Sequence, residues 1–338
     1  MSRLKGAYSN RWVELLERQM DKLKESSANC FAFEFRAEAY NANQTVYRLP
    51  SMTPVGYRDQ VRSLVSMARA RGLKVLFYLT PSYVASGWWA HVARVISFEP
   101  EQTNYIDQWK AIIAELQPDA VSILNECPDA VLSGTPELTP EKYMTFALRS
   151  IDAYRSVKPG LEIHMTSIPF WDMRSIVANP VPRDNVNYAF HFYYHNSGYN
   201  RPYEMAYNEA STETELTAAR ALLEQYLFGS PSYVQNAIDA GLPLNFIFGA
   251  EPRQMNNAAR FLEDTYDICK RRNIESVFQS AYGVESYPNG TYLAGMWKAD
   301  MSDLNMIGQV WFEQMPGVPD PPPPPSIDRV ILVILAAG

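Results

Sequence analysis

The chain is poor in the residues that build disulfide frameworks and metal centres. Its three cysteines, Cys30, Cys127 and Cys269, lie far apart and form no CxxC pair. That spacing argues against a disulfide scaffold and a zinc ribbon, and Cys30 and Cys269 read as small core residues. The four histidines, His91, His164, His191 and His195, show no HExxH spacing, so no catalytic metal is expected. No glycine-rich phosphate turn follows the first apolar run, which removes the commonest dinucleotide site, and no cofactor is expected. Positive charge is also scarce. A net charge of −7 argues against nucleic acid or an anionic membrane as the main partner. A neutral polymer meets no such objection. The opening Met1-Ser-Arg-Leu-Lys-Gly6 lacks the apolar stretch of a signal peptide. No apolar run is long enough to span a bilayer.

What the chain does have is a rhythm of short apolar runs, turns and helical stretches. Its 338 residues are enough for one large α/β domain or two ordinary ones, and a hydrophobic content of 47% supports a sizeable core. Strands are expected at 4–8, 30–35, 74–80, 120–126, 162–167, 186–192 and 244–251. Amphipathic helices are expected at 10–25, 57–71, 101–116, 139–157, 213–228 and 255–271. Gly72 sits where a helix C-terminal cap belongs, and Thr139-Pro140-Glu141 carries a helix-start signature. Of two candidates for an eighth strand, 276–282 and 305–311, the second is favoured, because polar residues precede it and a proline-rich stretch follows it. Eight alternating units fit a (β/α)8 TIM barrel over residues 1–315. Residues 316–326 read as a proline-rich linker with polyproline II character. The short apolar stretch in 327–338 reads as the truncated start of a further module or anchor.

Two of the apolar runs end in a carboxylate. Ala120-Val-Ser-Ile-Leu-Asn-Glu126 is one, and Leu244-Asn-Phe-Ile-Phe-Gly-Ala-Glu251 is the other. A buried strand does not accept a charge without a reason, and active residues of this fold gather at the C-terminal strand ends. Two carboxylates aimed at one point are the equipment for cleaving a glycosidic bond. Asn125, beside Glu126, can hold a sugar hydroxyl. Aromatic residues make up 13% of the chain. Trp12 and Trp109 fall inside helices and read as core. Trp88, Trp89, Trp171, Tyr194 and Tyr199 fall in loops after strands, where flat rings can stack on the C–H face of a sugar. Glu285, Asp172, Glu213 and Glu215 read as solvated loop or helix-end charges.

Together these residues carry a resemblance. Asn125-Glu126-Cys127-Pro128 resembles the Asn-Glu-Pro motif at the end of strand four in the clan A glycoside hydrolases. Glu251-Pro252 resembles their strand-seven nucleophile. His191-Phe-Tyr193 is similar to the strand-six His-x-Tyr of the cellulase family of that clan, glycoside hydrolase family five. Trp311 is similar to the tryptophan that floors its cleavage subsite. The resemblance covers roughly residues 5–315. Three departures stand out. Cys127 takes the place of the proline after the acid, Thr80 stands where the family usually has a histidine, and the strand-two arginine is assigned to Arg36, with Glu34 close by.

The resemblance implies an endo-acting retaining β-glycanase. Endo-β-1,4-glucanase comes first, followed by β-mannanase or another β-glucanase, with a non-catalytic carbohydrate-binding barrel as the rival class. It implies Glu126 as acid/base, protonated at rest, and Glu251 as the ionised nucleophile. Tyr193 would hold Glu251 in line, and Asn125, His191 and Arg36 would bind substrate. Trp88, Trp89, Trp171 and Trp311 would supply aromatic contacts. A β-linked polysaccharide or oligosaccharide is the expected partner, bound by a monomer. The resemblance and the proline-rich linker together imply a secreted or cell-surface protein.

Overall fold

The structure is a computed structural model. It describes residues 20–21, 30–43, 45–46, 55–80, 94–123, 140–167, 186–194, 201–229, 233–239, 241, 244–250, 256–280, 309 and 329–334. Eight parallel strands close into a barrel: β1 (Cys30–Arg36), β4 (Lys74–Thr80), β5 (Ala120–Ile123), β6 (Glu162–Ser167), β7 (Val186–Tyr194), β8 (Leu244–Ala250), β9 (Glu275–Ser280) and β10 (Arg329–Ile334). They are neighbours in chain order, and β10 pairs with β1 to complete the ring. A two-stranded antiparallel ribbon, β2 (Thr45–Val46) with β3 (Val55–Gly56), lies outside it in the connection that follows β1.

The strand sequences are near-continuous apolar runs because a parallel barrel strand is covered on both faces. Alternation along the strand separates the two faces. Val75, Phe77 and Leu79 of β4, Val121 and Ile123 of β5, and Ile163 and Met165 of β6 pack into the layer shared with the helices. Cys30, Ala32, Leu76, Tyr78, Ala120, Ser122 and His164 are equally buried on the opposite face, which is the barrel interior. Among the described residues this inner face carries more polar side chains, Tyr78, Ser122 and His164, than the outer layer.

The helices bury one face each. In α2 (Tyr57–Ala70), Tyr57, Val61, Leu64, Val65 and Ala68 follow helical spacing onto the strands. Its end matches the glycine cap read from the sequence. Gly72 has φ 75°, its N–H donates to the Arg69 carbonyl at 2.9 Å, and the Leu73 N–H donates to the Ala68 carbonyl at 3.1 Å. In α3 (Glu99–Leu116), Trp109 is fully buried, as expected of a core tryptophan. Helix α4 (Pro140–Val157) opens one residue after the Thr139 start signal.

Helix α6 (Glu213–Phe228) begins with a capping box. The Glu215 N–H donates to Thr212 Oγ1, and Glu215 Oε2 accepts from the Thr212 N–H at 2.9 Å and the Ser211 N–H at 2.8 Å. Hydrogen bonds from the Ser211 backbone and hydroxyl, then from Thr212, hold the Glu215 carboxyl down at about 2. Its folded value lies below its ordinary one of 4.5. The contribution to stability is therefore present above about pH 4.5 and lost as pH falls towards 2. We expect wild type to melt above Glu215→Ala near neutral pH, with the gap closing through that window. Thermal melts across pH check this.

The closing strand corrects the sequence reading. Arg329–Ile334 is no further module: it pairs with β1 from Cys30↔Val330 to Glu34↔Ile334, and with β9 from Arg329↔Ser276 to Val333↔Ser280. It fills the place beside β1 that the sequence reading gives to 4–8. The 4–8 segment lies outside the described residues, as does all of 305–311 except Gln309. The rejected candidate 276–282 is strand β9. A parallel strand with both edges paired needs only a short β-branched run, and Val330-Ile-Leu-Val-Ile334 supplies one.

Candidate active site

All eight strands are parallel, so their C-terminal ends form one rim. Arg36 is the last residue of β1 and pairs with Thr80, the last of β4. His191 and Tyr193 lie on β7, paired with Ile247 and Gly249 of β8. β8 ends at Ala250, immediately before Glu251, and β5 ends at Ile123, two residues before Asn125 and three before Glu126. The chain therefore leaves the barrel towards both glutamates from the same rim. Asn125, Glu126, Glu251, Trp88, Trp89, Trp171 and Trp311 lie outside the described residues, as do the side chains of Arg36, His191 and Tyr193.

In the closed ring, β5 is the third strand and β8 the sixth. With 4–8 counted as the first strand, as the sequence suggests, they are fourth and seventh. Their separation of three positions is the same in both counts. That separation, rather than the absolute number, sets how far apart two rim groups stand.

The connections around the rim are pinned by side chains. After β1 comes a helical turn, α1 (Ala37–Asn41), and then the β2–β3 ribbon. Arg58 ties this segment down. Its Nε donates to the Tyr40 carbonyl at 3.1 Å, its Nη2 donates to the Asn41 carbonyl, and its N–H donates to Asn43 Oδ1 at 3.0 Å. The Tyr105 hydroxyl donates to the Leu79 carbonyl at 2.6 Å and anchors the top of β4 to α3.

The segment after β7 leads into α5 (Pro202–Glu209). Helix α7 (Tyr233–Asp239) precedes β8, and the segment after β8 leads into α8 (Ala258–Arg272). These two helices are joined by a buried network. The Tyr207 hydroxyl donates to Asp264 Oδ2 at 2.7 Å, and Asp264 Oδ1 accepts from Arg220 at 3.1 Å and Arg260 at 3.2 Å. Burial, reinforced by the Asp264 carboxylate, pushes the Tyr207 phenol far above its ordinary value. At the start of α5, buried Arg201 donates to the Tyr203 hydroxyl at 3.0 Å and to Glu204 at 3.3 Å.

A second polar cluster sits at the other end of the barrel. Glu162, the first residue of β6, accepts from Asn187 Nδ2 at 2.8 Å and contacts His164 Nε2 at 3.0 Å. Being at the strand N-termini, it belongs to the stability face of the fold rather than its chemical face. Sequence reading gave none of these residues a role, since a strand-interior histidine carries no local signal. Cys30 and Cys269 are buried free thiols, as expected, and burial pushes both well above their ordinary range. Among the described residues no group of three acidic, histidine or cysteine side chains is placed to hold a metal ion, and no helix is long and apolar enough to cross a membrane.

No protein-family model and no curated protein matches the chain by sequence. Solved structures do match by shape. The endoglucanase Cel5A from Thermotoga maritima superposes with a TM-score of 0.57 at 15% identity, over 88% of this chain and 89% of that one. The endo-1,4-β-D-mannanase from Thermotoga petrophila gives 0.57 at 10% identity, over 88% and 94%. An endocellulase from Pyrococcus horikoshii gives 0.59 at 13% identity, over 88% and 86%. This chain therefore has the (β/α)8 barrel fold of these cellulases and mannanases along nearly its whole length.

Proposed function

We propose that the protein is an endo-acting retaining β-glycanase that uses Glu126 as acid/base and Glu251 as nucleophile. The observation that carries this reading is the rim. Two strands three positions apart in a closed parallel barrel lead directly into Asn125-Glu126 and Glu251, in a fold shared with endoglucanases and endomannanases. In a retaining enzyme the two carboxyl groups stand about 5–5.5 Å apart. Glu126 protonates the leaving oxygen while Glu251 attacks the anomeric carbon and forms a glycosyl ester. Glu126 then takes a proton from water, which attacks the same carbon and releases Glu251. The protonated acid needs a raised pKa and the nucleophile an ionised one, which neighbouring charge and burial supply. Tyr193 orients Glu251. Asn125, His191 and Arg36 hold sugar hydroxyls, and Trp88, Trp89, Trp171 and Trp311 stack on the rings.

A β-1,4-glucan is the first choice of substrate and a β-mannan or another β-glucan the second. Structures of the Thermotoga maritima enzyme hold cellobiose in one case and mannotriose in another, so one such cleft admits both sugar configurations. In this reading the protein acts as a secreted or cell-surface monomer, and the proline-rich stretch 316–326 leads into the closing strand.

A panel of soluble β-glucans and β-mannans, assayed for released reducing ends, tests this. Steady release from one polymer, with an early fall in viscosity, is expected. Tight binding to a polymer without release would favour a carbohydrate-binding barrel that has lost catalysis, a class to which Thr80 in place of the family histidine points.

A further inference from the structure

Two polar atoms inside the barrel have no partner among the described residues: Ser122 Oγ and His164 Nδ1. Ser122 is the third residue of β5 and His164 the third of β6, and the two stand level in the strand pairing. Adjacent strands lie about 4.7–4.9 Å apart. Both residues face the interior and both are 0% exposed, yet they do not bond to each other. The ring nitrogens of His164 differ. Nε2 lies 3.0 Å from Glu162 Oε1, which also accepts from Asn187 Nδ2 at 2.8 Å. A carboxylate only accepts, so Nε2 carries the proton, and a neutral imidazole then presents an acceptor lone pair at Nδ1. The Ser122 hydroxyl can donate and accept. Buried polar groups of this kind are nearly always satisfied, by protein or by ordered water.

We infer that Ser122 and His164 form a binding site for one buried water molecule, which bridges Ser122 Oγ and His164 Nδ1. The water donates to Nδ1 and shares a second bond with the Ser122 hydroxyl, which rotates to suit. A buried water needs two to four polar partners and about one probe sphere of room. The next inward residue on β5 is Ala120, which contributes only a methyl to the space beside the pair. A cation fits the site less well, because among the described residues no three acidic, histidine or cysteine side chains converge to hold one. The bridge extends the Asn187–Glu162–His164 contacts of β7 and β6 onto β5, so three neighbouring strands share one polar seam. The site stands whatever reaction the rim carries out.

Oxygen-17 magnetic relaxation dispersion, which counts water molecules held inside a protein, tests this on the full chain. Ser122→Val suits a strand and places a methyl where the water sits. The variant is expected to hold one long-lived water fewer than wild type. Its Tm should fall by a few degrees, because His164 Nδ1 loses its donor while staying buried. An unchanged water count overturns the inference whatever the Tm does. A raised Tm also overturns it, since that is the result of filling a dry gap.

A high-resolution crystal structure of wild type gives a second reading that does not depend on the variant folding. A water oxygen about 2.7–3.2 Å from both Ser122 Oγ and His164 Nδ1 is expected. A direct bond between those two atoms, or an empty gap, overturns the inference. So does an atom about 2.0–2.1 Å from Nδ1, the distance of a bound metal ion.

Discussion

Glu251→Gln is expected to abolish release of reducing ends from the cleaved polymer, and Glu126→Gln to lower it by about 10²–10⁴-fold. The two variants should part company on an aryl glycoside with a good leaving group. Dinitrophenolate departs without a proton, so Glu126→Gln keeps the first step and loses the base for the second. Its kinetics should show a burst of phenolate followed by slow turnover, with a lowered KM because the covalent intermediate accumulates. Added azide, which needs no general base, should restore turnover. Glu251→Gln should show neither burst nor turnover, because the first covalent bond cannot form. Melting temperatures close to wild type in both variants would place the losses in chemistry rather than folding. A burst in Glu251→Gln, or equal and modest losses in both, would break the assignment of roles.

Truncation after Pro325 is expected to unfold the barrel. β10 pairs with β1 through five register positions and with β9 through five more. At roughly one ladder bond per position and about 0.5–1.5 kcal/mol net per bond, the loss is on the order of 10 kcal/mol. That equals the whole stability of an ordinary domain, about 5–15 kcal/mol. The truncated protein would also expose the edges of β1 and β9, an open invitation to aggregation. We expect insolubility, or loss of the near-ultraviolet circular dichroism signal and of a cooperative melt. Replacing 316–325 by an equally long glycine-serine stretch should leave the melt largely in place, since that change spares the strand. An unaltered Tm after truncation would restore the view of 327–338 as a separate piece.

The strand β10 also shows where sequence reading stops. Lys74–Thr80, Glu162–Ser167 and Glu213–Phe228 stand where they were expected, because each is written locally in an apolar run, a cap or a periodic face. Closure of a barrel is not local. Nothing in Val330–Ile334 distinguishes a strand that pairs with Cys30–Glu34 from the first strand of another unit. A proline-rich stretch before it favours the second reading. Short helices were missed for a related reason. Pro202–Glu209 and Tyr233–Asp239 are too brief to show a period.

The candidate site was legible as far as it is carried by strand ends. Arg36, His191 and Tyr193 lie on barrel strands, and the strands before Glu126 and Glu251 open onto the same rim. Glu213 and Glu215 sit at a helix end as read, Glu215 as the capping-box carboxylate and Glu213 paired with Arg260 at 2.7 Å. The bonds that the Asn256 and Asn257 side chains donate to the Asn208 and Tyr207 carbonyls left no trace in the sequence, because those carbonyls lie nearly fifty positions away. A side chain that bonds to a distant backbone imposes no pattern on its own neighbours.

The decisive measurement is the anomeric configuration of the first sugar released, followed by proton NMR before mutarotation blurs it. Double displacement through Glu251 predicts that the β-anomer appears first and the α-anomer only later. The α-anomer appearing first would mean single displacement, with water attacking the sugar directly, and would contradict a glycosyl ester on Glu251.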